Sequence, residues 1–186
     1  MKLWSAFLRD VRPGAPTLPE PVLEHAIRRA AQKFCQETRA WQIELDPTLT
    51  IDGYTSYDLE LPTNTELVRL ERATLNGQDF AIWRAGDSSR GRFVYTQDGK
   101  TLTLSQALGA GSSLVLTISA KPGEKATGVD DALYDRYVTE IALGAVASLT
   151  GDLNKRAEFD NAIASIKTAL WRGNAAIRPR ARASYF

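Results

Sequence analysis

The run from Asp131 to Thr150 constrains this chain more than any other stretch, because it reads as a helix that is apolar on nearly every side. Tyr134, Val138, Ile141, Ala145 and Leu149 step at the spacing of one helical face, and Leu143 and Val146 fill another. No charge occurs from Ile141 to Leu149. A surface helix would carry a polar face there, so other elements must cover this one, and Gly144 and the alanines let them come close.

Helical patterns lie on both sides of this run. Trp4, Phe7, Leu8 and Val11 have the spacing of a short amphipathic helix, which the proline-rich stretch Arg12 to Pro19 ends. From Glu20 to about Trp41, Val22, Ala26, Ile27, Ala30, Phe34 and Trp41 oppose a charged face. After the central run, Gly151 supplies a carboxyl-terminal cap and Asp152 or Asn154 starts a last helix. Its stripe is Phe159, Ile163, Ile166 and Leu170, with Trp171 closing the core and Arg172 to Asn174 ending the helix.

Between Trp41 and Ala120 the period drops from near 3.6 to 2, with Asp46-Pro47 and Asp52-Gly53 as turns between short alternating runs. Asn76-Gly77 is the strongest hairpin signal, joining Leu67–Leu75 to Phe80–Trp83. Arg92–Thr96 and Thr101–Leu104 form a second hairpin, and Ser113–Ala120 is a last strand. These patterns predict an α+β fold: an antiparallel helical bundle with an inserted small antiparallel β-sandwich or open barrel. Residues 1–41 and 129–174 form the helical core domain, 42–120 the β domain, 121–128 a linker and 175–186 an extended carboxyl-terminal arm.

The chemistry available is narrow. A net charge of +1 over 186 residues argues for neither nucleic acid nor a membrane as a bulk electrostatic partner. The amino terminus is neither a signal peptide nor a span, and no apolar run approaches about 18 residues, so a soluble protein is expected. One cysteine excludes an intrachain disulfide framework. Cys35 and the single histidine, His25, lie on one predicted helix roughly 15 Å apart, too far for a dyad. Zinc has no ligand cluster, so no metal, cofactor or catalytic residue is expected. The acids Asp46, Asp52, Asp130 and Asp131 suit turns and helix starts. Gly109–Ser113 lacks the lysine of a phosphate loop and leads into a strand, and Asp152–Lys155 near Glu158 is too short for a calcium loop.

Two features remain for binding. Tyr54, Tyr57, Trp83, Phe93 and Tyr95, interleaved with Arg84, Arg90 and Arg92, could stack bases on a sheet face or serve the core. The tail from Ala175 to Phe186 carries Arg178, Arg180 and Arg182 with no acid, then Tyr185 and Phe186, and no period packs it. It is either an untethered terminus or an arm that orders on a partner.

The order of elements carries a resemblance. A first helix ends in Arg39-Ala-Trp41, alternating strands follow with Tyr57-Asp-Leu-Glu-Leu-Pro62, a Tyr-x-x-Tyr-Val helix starts at Tyr134, and Phe159 lies on a last helix. This layout resembles the head-to-tail adaptor proteins of tailed bacteriophages, most nearly the tail tubular protein A type of short-tailed phages. The resemblance implies a non-enzymatic structural protein of the virion, made in the host bacterial cytoplasm and placed at the head–tail junction. It implies a closed homo-oligomeric ring of about twelve copies. Its partners would be the portal protein and a tail nozzle or other tail protein, with DNA passing through the lumen without specific binding and no membrane involved. The arm residues Arg178, Arg180, Arg182, Tyr185 and Phe186 would then grip the portal, and Ala142, Ala145 and Val146 would meet the next subunit. A head-completion or tail-terminator protein of a long-tailed phage and a nucleic-acid-binding module are the alternative expectations.

Overall fold

The computed structural model describes residues 1–87 and 91–177, apart from the side chains of Trp171 and residues 173–177. The chain opens with β1 (Lys2–Leu3), a 3-10 turn (Trp4–Phe7), α1 (Leu8–Val11) and a second 3-10 turn (Arg12–Gly14), so the expected amphipathic helix is divided. Helix α2 (Glu20–Thr38) follows. Pro21 suits its first turn, where amide hydrogens lack partners, and Arg39 ends it in the left-handed conformation at φ 56°. The helix therefore stops short of Trp41, and its buried face is Leu23, Ala26, Ile27, Ala30, Phe34 and Cys35, while Val22 is exposed.

Eight strands come next: β2 (Gln42–Glu44), β3 (Thr48–Leu49), β4 (Ser56–Asp58), β5 (Thr65–Leu75), β6 (Gln78–Ile82), β7 (Phe93–Tyr95), β8 (Thr101–Leu104) and β9 (Ser113–Pro122). They form one sheet in the order β2-β9-β5-β6-β7-β8-β4, with β3 also on β9. Asn76 (φ 51°) and Gly77 (φ 79°) make the hairpin turn between β5 and β6. Strands β6 and β7 pair parallel, Ala81 with Phe93 and Ile82 with Val94. Register shifts in β5 between Leu67 and Arg69 and between Leu70 and Arg72 bend that strand. Leu45 beside β2 and Leu59 beside β4, at opposite ends of the strand order, share one core with Leu70, Val94, Leu102, Leu114, Leu116 and Ile118. The sheet is thus curled into a half-barrel around that core.

Strand β10 (Gly128–Val129) returns to pair with β1, Lys2 against Val129 and Leu3 against Gly128. A Cβ at Gly128 would overlap the Lys2 carbonyl, so glycine is required for this approach. Helices α3 (Asp131–Thr150) and α4 (Leu153–Ile177) complete the chain, the latter running past the expected end at Arg172 to Asn174. Asp130 caps α3 by accepting from the Ala132 amide at 2.9 Å, and Gly151 ends it at φ 68°. The helix leaves helical geometry at Tyr137, whose ring packs 5.0 Å from that of Phe34.

These features correct the expected architecture. The fold is α+β, but the helices are not an antiparallel bundle and the strands are not a small antiparallel sandwich. Helix α2 divides its contacts among α3, α4 and strand β9, and among the described side chains of α4 only Phe159 and Ile163 are fully buried. Gln32 Nε2 donates to the Pro122 carbonyl at 3.0 Å and ties α2 to the end of β9. A bundle would need its members to bury their stripes on one another. Here a helical layer with Phe7, Phe34, Ile27 and Ile141 fully buried, worth about 1.5–3 kcal/mol each, covers one end of a larger curled sheet. Trp41, half-buried, packs against both cores and marks their junction.

Candidate functional site

Alternation along β6 and β7 sends Ile82 and Val94 into the sheet core and leaves Trp83, Phe93 and Tyr95 on the opposite face. The Trp83 ring stacks on Phe93 at 6.1 Å and meets Tyr95 edge-on at 5.8 Å, and Phe93 and Tyr95 lie 6.0 Å apart. The Trp83 amide donates to the Val94 carbonyl at 2.9 Å, and its Nε1 donates to the Asp87 carbonyl at 3.2 Å. Asp87 Oδ2 accepts from the Arg84 amide at 2.9 Å, which folds the connection back beside the shelf of rings.

Charge gathers around this face. Arg69, on β5, is half-buried; burial and then the charges of Arg84 and Arg39 lower its pKa from the usual arginine value, while Glu71 and Asp87 oppose that shift. Arg39 donates to both Glu71 oxygens at 3.3 Å, and Ser119 Oγ donates to Glu71 Oε1 at 2.9 Å. Among the described residues Arg69 makes no ion pair. The structure therefore brings together Trp83, Phe93 and Tyr95 with Arg84, adds Arg69, and leaves Arg92 exposed at the edge. Arg90 lies outside the described residues. Tyr54 is 60 % exposed on a loop, and Tyr57 points into the half-barrel with its hydroxyl 3.1 Å from the Ile51 amide, so neither joins the shelf.

The second feature is the open seam of the half-barrel, a cleft of about 490 Å³ between the β2–β3 end and β4. The Leu45 amide donates to Leu116, and the Ala120 amide to Trp41. On the other side the Leu59 amide donates to Lys100, and the Leu104 amide to Thr55. The remaining backbone groups of Gln42 and Glu44, and of Ser56 and Asp58, point across the seam, because among the described residues neither edge strand has a second neighbour. Inward side chains are Ile43 and Leu45 on one edge and Tyr57 and Leu59 on the other; outward ones are Glu44 and Asp46, and Asp58 and Glu60.

The other expected sites fall as follows. Ala142, Ala145 and Val146 are 4 %, 0 % and 6 % exposed within the helical core, and Val146 lies against the backbone at Gly14. Arg178, Arg180, Arg182, Tyr185 and Phe186 lie outside the described residues. Cys35 is buried, which pushes its thiol up to about 12, and exposed His25 has Nδ1 3.0 Å from Arg28. Among the described residues no three His, Cys, Asp or Glu side chains come together as a metal site would need. The Gly109–Ser113 turn spends its polar groups on Thr50: the Gly111 amide donates to the Thr50 carbonyl at 2.8 Å and the Ser112 amide to its hydroxyl at 3.0 Å. That leaves no phosphate cradle there. No described helix is long and apolar enough to cross a membrane. Arg69 and the seam escaped the sequence reading, although the acids alternating at 44, 46, 58 and 60 were a signal for the latter. Neither the protein-family models nor the curated proteins contain a match to this chain.

Proposed function

We propose that the chain is a non-enzymatic, ring-forming connector between a phage portal and its tail, placed at the head–tail junction with DNA passing through its lumen. The observation that carries this reading is how the sheet joins the helices. The Ala120 amide donates to the Trp41 carbonyl at 2.9 Å, so the chain leaves the helical layer after α2 and returns to it at one point. That element order, helix, strands, then two helices, resembles the layout of the adaptor proteins. Lateral contacts in such a ring fall to the exposed faces of α2 and α4, since the small residues of α3 are occupied within the subunit. The 178–186 arm engages the portal. Electron microscopy of the protein mixed with a portal should show rings, and deleting 178–186 should abolish association while leaving the circular dichroism spectrum unchanged. Absence of any ring in the mixture defeats the proposal.

The aromatic shelf favours a second reading, a module that holds single-stranded nucleic acid. Three rings flanked by Arg69 and Arg84 offer stacking worth about 1–3 kcal/mol per base beside phosphate contacts. Salt-dependent binding of a labelled oligonucleotide that Trp83→Ala removes would establish it; binding unchanged by that substitution would exclude it.

A further inference from the structure

We propose that the open seam of the half-barrel is a strand-acceptor groove, and that its occupant is the 178–186 arm of a second copy of this chain. Both seam edges carry the same alternation, apolar inward at Ile43, Leu45, Tyr57 and Leu59 and acidic outward at Glu44, Asp46, Asp58 and Glu60. Among the described residues neither edge is covered: the backbone groups of Gln42, Glu44, Ser56 and Asp58 face the gap, the arrangement that strand addition satisfies. Leu49, which lines the cleft, is 63 % exposed, and Ile51 and Tyr54 on the loop that follows it are 55 % and 60 % exposed.

From Arg178 to Ala183 the arm carries the complementary alternation. Opposite a sheet edge, Arg178, Arg180 and Arg182 fall on one face of a strand, and Ala181, Ala183 and Tyr185 on the other. An inserted arm would set its arginines against the four outward carboxylates, and its alanines and tyrosine on the leucine floor of Leu45, Leu59 and Leu116. Pro179 falls near the start of the arm, where a strand tolerates a missing amide. Nine residues span about 30 Å when extended, enough to cross the seam. Insertion would pair both free edges and close the half-barrel.

The seam is the arm's seat in the absence of a portal, and an arm released from it is free to engage one, so the seam proposal does not depend on the connector reading. The test uses the full chain carrying Ser56→Cys and Ser184→Cys; the native Cys35 is buried and stays silent. Mild oxidation should give disulfide-linked dimers and larger species on a non-reducing gel. Asp58→Lys with Glu60→Lys should lower their yield about tenfold, and so should ionic strength near about 1 M. The arm change Arg180→Glu with Arg182→Glu should do the same in a chain whose fold the seam substitutions have not touched. Mixing the two charge-reversed chains, each with one of the cysteines, should restore the link. Monomer alone, a loop within one chain, or a link indifferent to both charge reversals overturns the proposal.

Discussion

Substituting Gly144 by alanine puts the packing of α3 on α4 to a direct test. A methyl carbon there would stand 2.6, 2.7 and 2.8 Å from Cζ, Cε2 and Cε1 of Phe159. Three atoms of one ring are struck at once, so a rotation of the ring cannot clear the contact; the ring must translate. It has little room: Phe159 is 4 % exposed and the Lys33 ammonium lies 5.2 Å from its centroid. Two effects compete. Alanine in place of glycine within a helix gains about 1 kcal/mol, whereas forcing extra volume into a packed core costs about 1–3 kcal/mol. The contact geometry places the cost at the upper end, for a net loss of about 1–2 kcal/mol. For a chain of this size that lowers the melting temperature by about 2–8 °C. Urea unfolding should show a lower midpoint with an unchanged slope. Adding Phe159→Leu to Gly144→Ala should recover part of the loss, because the smaller side chain vacates the space the methyl needs; a double-mutant cycle measures that coupling. A Gly144→Ala protein as stable as the parent, or strictly additive losses in the cycle, would refute the close approach.

Three further outcomes are expected. Ala145→Asp places a carboxylate at a position with no exposure, so it should prevent folding, visible as lost near-ultraviolet circular dichroism; a folded variant that fails only to assemble would relocate Ala145 to a subunit interface. Asp98 accepts from the Thr101 amide at 2.7 Å, the Lys100 amide at 2.8 Å and the Thr101 hydroxyl at 2.9 Å, which hold its pKa near about 2. Because the folded value is depressed, the support Asp98 gives the β7–β8 turn is present above the ordinary carboxylate range of about 4 and lost as pH falls through about 2. The Thr101 amide resonance should titrate in that window, and in Asp98→Asn it should not. Cys35, with its thiol pushed up to about 12, should be inert to disulfide reagents in the folded chain and react at once in denaturant.

What could be read from residues alone was local. Asn76-Gly77 announced its hairpin because both positions need positive φ, and Gly151 announced the end of α3 for the same reason. Arg39 ends α2 in that same conformation without being glycine, so nothing warned that the helix stops before Trp41. Alternation showed that each strand hides one face, but a sandwich, a barrel and a curled sheet all satisfy that condition. The parallel pairing of β6 with β7 depends on a connection, Trp83 to Arg92, that has no period. Helical stripes likewise say that a face is covered and not by what: Leu23 and Phe34 serve a layer that leans on β9, where counting stripes suggested a bundle. At the candidate site, the three shelf aromatics and Arg84 were named from sequence because they lie close along the chain. Arg69 was not, since the Coulomb coupling that joins it to Arg84 exists only after β5 and β6 have paired.

Strand β9 has a mechanical meaning beyond its place in the sheet. It is laddered to β5 at nine positions, from Thr65 opposite Pro122 to Leu75 opposite Leu114, holds β2 and β3 on its other side, and leads through β10 into α3. Its hydrogen bonds lie across the strand direction, so a pull along β9 loads all of them together and none can yield first. Tension entering at the turn before Ser113 is therefore shared with the neighbouring strands before it reaches α3, and the chain should resist stretching along this line far better than peeling at β4, whose three-residue ladder opens one pair at a time.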